Sequence, residues 1–190
     1  MRRLAVLFAA GLLGACAPPA PTTDLPGGLI GSFLFTGTLV TPGMDAGAGV
    51  PQTTCDLDGG ALAPSATLSF FAGMSEGPDA GQIWWELEGA SPVLGSATDG
   101  GFVVAVRSTA PVASCNCAAA LTETVAGFWP PGDGGSAPSV PVLQITGWLD
   151  DRIDPDPADT GGCALDGGAA CQFGCDVVYA LDGLPGQPGS

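Results

Sequence analysis

The sequence predicts an all-β domain: an antiparallel meander of about eight strands, forming a barrel or a sandwich and stapled by disulfides. Three observations lead there. Short segments alternate apolar and polar residues with a period of two, the signature of a half-buried strand. Punctuation between them is dense, with 31 Gly and 18 Pro in 190 residues. No stretch keeps a convincing 3.6-residue period, so no helix is expected.

Taken in order, the first strand falls at 32–40, where Phe33, Phe35 and Leu39 share one face. The next covers 66–73, with Leu68 and Phe70. Strands at 82–88 (Ile83, Trp85, Leu87), 93–97 and 101–108 (Phe102, Val104, Val106) follow closely. Asp99-Gly100 between the last two is a two-residue hairpin signal. Residues 66–108 therefore read as an antiparallel meander. Later strands fall at 117–127, at 142–149 (Leu143, Ile145, Leu149) and at 175–182 (Val177, Tyr179, Leu181). The expected core is Phe33, Phe35, Leu68, Phe70, Ile83, Trp85, Leu87, Phe102, Val104 and Val106.

Three insertions interrupt this pattern. Residues 41–65 hold Asp45, Cys55, Asp56 and Asp58. Residues 129–141 read as a flexible low-complexity loop, and residues 150–174 as an acidic loop with two cysteines. Connections of that length are functional or disordered.

The N-terminus carries an address. Arg2 and Arg3 precede a short apolar run at 4–13, too short to span a bilayer core that needs about 20 residues. A basic start, a short apolar run and small residues read as an export signal. Leu13-Gly14-Ala15-Cys16 closes it. This layout resembles the lipobox of bacterial lipoprotein signal peptides. The resemblance implies cleavage before Cys16, a diacylglyceryl group on its thiol and attachment to the membrane through that N-terminal lipid. Ala17, where a retention signal would place Asp, leans toward the outer membrane.

The domain boundaries follow. Residues 1–15 are the signal peptide, and 16–28 the lipidated cysteine with a Pro-rich tether. Residues 29–184 are the all-β domain, and 185–190 a flexible tail. Such a tether stays extended and stands the domain off the membrane.

Composition narrows the partners. Once the signal is removed, Arg107 and Arg152 alone stand against 19 acidic side chains, a formal charge of −17. Nucleic acid and anionic headgroups are disfavoured, because phosphates need Lys and Arg. Acidity mainly brings solubility.

Six cysteines remain besides Cys16: Cys55, Cys115, Cys117, Cys163, Cys171 and Cys175. An even count in an exported chain reads as a disulfide framework with several possible pairings. Cys115 and Cys117 point the same way on one strand and should take different partners, while 163, 171 and 175 should close a local loop. Zinc is disfavoured: the chain has no His, and the C-x-C and C-x₃-C spacings fit no common zinc pattern.

The chemistry open to the chain is narrow. Without His or Lys, Ser-His-Asp, Cys-His and Ser-Lys nucleophile systems cannot be built. Asp159-Thr160-Gly161 matches the aspartic-protease triplet but follows Pro157-Ala158 instead of a hydrophobic strand, so it reads as chance. Glu86 and Glu88 share the polar face of one strand with Trp84, and they read as a solvated edge. Asp150, Asp151, Asp154, Asp156 and Asp159 form the densest acidic run. They are weak calcium candidates, because the EF-hand order of ligands is absent.

Phe35-Thr36-Gly37-Thr38-Leu39, Gln82-Ile83-Trp84-Trp85, the hairpin from Gly95 to Phe102 and the late cysteines look similar to lipoproteins common in myxobacteria. That resemblance implies a compartment and a fold, and it brings no activity. The expectation is a non-enzymatic envelope lipoprotein with no cofactor, a structural or interaction module whose protein partner the sequence does not identify. The alternatives are a module binding a small apolar ligand or calcium, and a carboxylate-based hydrolase with two acidic groups facing one cleft.

Overall fold

The computed structural model describes residues 25–47, 49–56, 64–98, 100–112, 117–129, 142–156 and 173–186. Eight strands follow one another: β1 (Leu29–Leu39), β2 (Thr67–Glu76), β3 (Gln82–Leu87), β4 (Val93–Thr98), β5 (Gly101–Val112), β6 (Cys117–Phe128), β7 (Ile145–Pro155) and β8 (Cys175–Pro185). Each pairs antiparallel with the next, and β1 pairs with both β2 and β8. The sheet therefore closes into an up-and-down barrel, not a sandwich. Closure removes every long free edge, which an acidic, Gly-rich sheet could not otherwise protect. At the tight turn between β4 and β5, Gly100 takes φ +99°, a conformation that a side chain would disfavour.

One end of the barrel carries the chain's entry into β1 and the β2–β3, β4–β5 and β6–β7 connections. The other, here the far end, carries the β1–β2, β3–β4, β5–β6 and β7–β8 connections. An eight-stranded barrel is just wide enough for its own side chains to fill. Here aromatic rings fill it. Phe35 stacks on Phe70 at 5.2 Å and meets Trp85 at 5.4 Å. Trp85 continues to Phe102 at 5.5 Å, and Phe102 stacks on Trp129 at 5.4 Å. Glycines make room for the rings: a Cβ on Gly127 would meet the Phe102 ring, and one on Gly183 the Phe35 ring.

Phe33, Phe35, Ile83, Trp85, Phe102 and Val104 are buried as the alternation requires. Leu68, Phe70 and Leu87 are only partly buried but pack against that core. Val106 is half-buried and stands outside it. Trp129, expected in a flexible loop, is instead a core residue stacked on Phe102. Residues 130–141 lie outside the described residues.

The largest departure is in β7. It starts at Ile145, leaving Leu143 exposed, and runs on to Pro155. The expected acidic loop thus begins inside a strand. Aspartate disfavours strands, but β6 and β8 on either side supply ladder partners for the segment.

Candidate functional site

Strand periodicity in β6 and β7 puts two carboxylates inside the barrel. Leu121 and Val125 point inward on β6, and so does Glu123 between them. Leu149 and Ile153 point inward on β7, with Asp151 between them. Glu123 and Asp151 are register partners across the β6–β7 ladder. Opposite side chains in such a pair start about 5 Å apart at Cβ. Their row continues to Val106 on β5 and Val177 on β8. The next row toward the far end is Ser108, Leu121, Ile153 and Cys175; the next toward the entry end is Val104, Val125, Leu149 and Tyr179.

Among the described residues, no cation offsets the pair. Arg107 and Arg152 lie on the outward phase of their strands: Arg107 pairs with Thr122, and Arg152 pairs with Thr122 and Asp176. Burial pushes Glu123 up to about 7. Asp151 is also raised to about 7, by burial first and then by the charges of Glu123 and Asp150. Tyr179 rises to about 12 through burial and the charge of Asp151, and its hydroxyl donates to the Ser65 carbonyl at 3.1 Å.

The far end is held by the returning β1–β2 connection. Beyond Leu39, β8 has no β1 partner, and residues 53–55 occupy the vacated edge. Val178 donates its N–H to Thr53 Oγ1 at 3.0 Å, and Asp176 donates its N–H to Thr54 Oγ1 at 2.8 Å. The N–H groups of Thr54 and Cys55 both donate to the Asp176 carbonyl. A disulfide joins Cys55 to Cys175, 120 residues apart in sequence. Of the cluster 163, 171 and 175, Cys175 thus takes a distant partner, because β8 begins beside this strap. Cys115, Cys163 and Cys171 lie outside the described residues, as does the side chain of Cys117.

The acidic run is divided by the strand. Asp151 points in, while Asp150 and Asp154 take the outer phase with Arg152 between them. Arg152 donates Nε to Asp154 at 3.1 Å and Nη1 to Asp176 at 3.2 Å. Asp150 is raised to about 6, by burial and by Asp176, with Arg152 opposing; its Oδ1 is buried without a hydrogen-bond partner. Asp156 follows β7 and donates its N–H to the Ala118 carbonyl. Asp159 and its triplet lie outside the described residues, as does Cys16. Residues on opposite faces of one strand cannot wrap one ion. Among the described residues, no three His, Cys, Asp or Glu side chains converge as a metal site.

Glu86 is not on a solvated edge: it is only 6% exposed. Its register partner on β2 is Gly73, and a Cβ there would meet Leu25, so the segment 25–28 lies over this part of the outer wall. Ser75 Oγ donates to the Pro26 carbonyl at 2.9 Å, and the Glu76 N–H donates to the Gly28 carbonyl at 2.8 Å. Trp84 is half-buried on the same face. A cleft of about 260 Å³ opens at the entry end between Ile30, Glu76, Asp79, Gln82, Ile83 and Trp129. A smaller one of about 140 Å³ lies beside Val103 and Phe128.

Sequence reasoning missed Glu123 altogether and placed Asp151 in a loop. The signal was present: Glu123 keeps the phase of Leu121 and Val125. No protein-family model, curated protein or solved structure matches this chain.

Proposed function

We propose that the protein is a non-enzymatic cell-envelope lipoprotein, lipidated at Cys16 and serving as a structural or interaction module on a membrane surface. Leu13-Gly14-Ala15-Cys16 behind Arg2-Arg3 carries this reading. The Cys55–Cys175 disulfide suits an exported protein, since such bonds persist in oxidising compartments. The barrel wall adds a further argument. Glu86, Arg107, Asp150, Arg152, Asp176 and Asp182 take outward phases. On a lipid-facing wall an Arg costs about 2–4 kcal/mol at mid-bilayer, and Asp or Glu somewhat less. Attachment then rests on acyl chains, and two or more are needed for stable anchoring. With aromatic rings filling the interior, recognition falls to the outer wall and the loops.

Labelled palmitate and membrane fractionation test this reading. Wild type should incorporate label and sediment with membranes; Cys16→Ser should do neither. Equal labelling of both would overturn the reading.

A second reading is a module for a small ligand, which the entry-end cleft favours through Trp129, Ile83 and Ile30. At about 260 Å³ it lies just below the usual range of ligand pockets. Ligand-induced quenching of tryptophan emission, lost in Trp129→Phe, would support it. A hydrolase would have to use Glu123 and Asp151, but Val106, Val125, Leu149 and Val177 surround them. Those side chains offer no hydrogen bonds to orient a polar substrate.

A further inference from the structure

We propose that Glu123 and Asp151 form a proton-binding site inside the barrel wall, which holds the β6–β7 ladder tight when protonated and loosens it when both carboxylates are charged. The geometry carries this. The two side chains leave opposite register positions toward the same interior. Two like charges at that separation, partly shielded from water, repel; one shared proton turns the repulsion into a hydrogen bond.

Among the described residues, the surroundings supply no cation. β5 offers Val104, Val106 and the exposed Ser108, and β8 offers Val177 and Tyr179. Tyr179 is the other ionisable group on these inward rows among the described residues; it stays neutral, and its hydroxyl donates to the Ser65 carbonyl. The β1–β2 strap brings Cys55, which is tied in a disulfide. Behind β7, Asp150 adds a further negative charge, whereas Arg152 is engaged by Asp154 and Asp176. Arg107 faces outward on β5.

The sign follows from linkage. Both carboxyls are raised in the folded barrel, from 4.5 and 3.8 to about 7. The folded state therefore binds protons that the unfolded chain has released. The stabilisation is complete below about pH 4 and declines as pH rises through 7. The sequence makes this window readable. There is no His, and ordinary carboxylates have finished titrating by about pH 5.5. Asp150, at about 6, is the other acid in the window among the described residues. The site is independent of lipidation, so it stands or falls apart from the envelope reading.

The test is a carbon-13 carboxyl titration of the purified protein from pH 3 to 9, read beside thermal unfolding. Because the two sites are coupled, their apparent values belong to the pair. Wild type should show a carboxyl step near pH 7. Glu123→Gln should lower the Asp151 step by about one unit, a tenfold loss of proton affinity, because the Glu123 charge is one cause of its rise. Between pH 5.5 and 8 the wild-type Tm should fall by roughly 4–8 °C. Amide protection, corrected for the intrinsic pH dependence of exchange, should fall over Leu121–Glu123 and Asp151–Ile153. Glu123→Gln with Asp151→Asn should abolish most of that slope, and Asp150→Asn should remove only its remainder. If both carboxyls titrate below pH 5, or the wild-type Tm stays flat across the window, the proposal is wrong. The wild-type titration decides the matter even where a variant fails to fold.

Discussion

Cys55 and Cys175 bind the returning arm of the β1–β2 connection to the first residue of β8, at the point where β1 has left β8 unpaired. The bond closes a loop that contains seven of the eight strands wholly or at an end. Both cysteines belong to the buried core. Staple and core therefore act on the same end of the barrel.

Substituting both cysteines by Ala should destabilise the protein by about 2–4 kcal/mol. At this size each kcal/mol corresponds to roughly 2–4 °C in Tm. Unfolding of the double variant under non-reducing conditions, beside wild type, measures it. An unchanged midpoint would mean that the hydrogen bonds of residues 53–55 hold the strap unaided.

Those hydrogen bonds predict a smaller effect. Thr53 is 2% exposed, and its hydroxyl accepts from the Val178 N–H. Thr53→Val keeps the shape and leaves that buried N–H unpaired, at a cost of about 1–3 kcal/mol. Amide exchange at Val178 should accelerate more than at Leu181, further along the same strand.

The ring stack predicts a contrast between inside and outside. Trp85 is 1% exposed and touches Phe35, Phe70 and Phe102. Trp85→Ala should cost about 3–5 kcal/mol. Leu143→Ala, at a side chain 74% exposed, should stay within about 0.5 kcal/mol of wild type. Denaturant titration of both variants checks the pair.

Overpacking should be felt as sharply as truncation. Gly127→Ala would press a methyl group into the buried Phe102 ring. About 1–3 kcal/mol of destabilisation is expected, with altered near-ultraviolet circular dichroism as the ring stack shifts. Gly43→Ala meets no neighbour, but its φ of +84° makes it a different case, a purely backbone penalty.

The barrel was legible because its strands obey local rules. Phe33 and Phe35, Ile83 and Trp85, Phe102 and Val104 alternate cleanly, and turn residues separate the runs. Barrel and sandwich were not separable, since closure depends on β1 meeting β8, a pairing of residues near the two ends of the described chain. The interior carboxylates were missed for a different reason. Glu123 went unremarked although it keeps the phase of Leu121 and Val125. Asp150, Asp151 and Asp154 were read as loop formers because aspartate disfavours strands. In both cases the neighbouring ladder overrode the residue's own preference. Trp129 was hidden by the Pro-Pro-Gly that follows it, although aromatic residues usually bury large area. The long disulfide was out of reach, because spacing alone cannot rank pairings across eight strands.

The envelope reading is tested most directly by the intact mass of membrane-extracted protein, alkylated without reductant. The account predicts the mass of residues 16–190 plus acyl groups, with no cysteine alkylated. An unlipidated mass, or alkylated thiols, would contradict it and remove the ground for placing this barrel on a membrane surface.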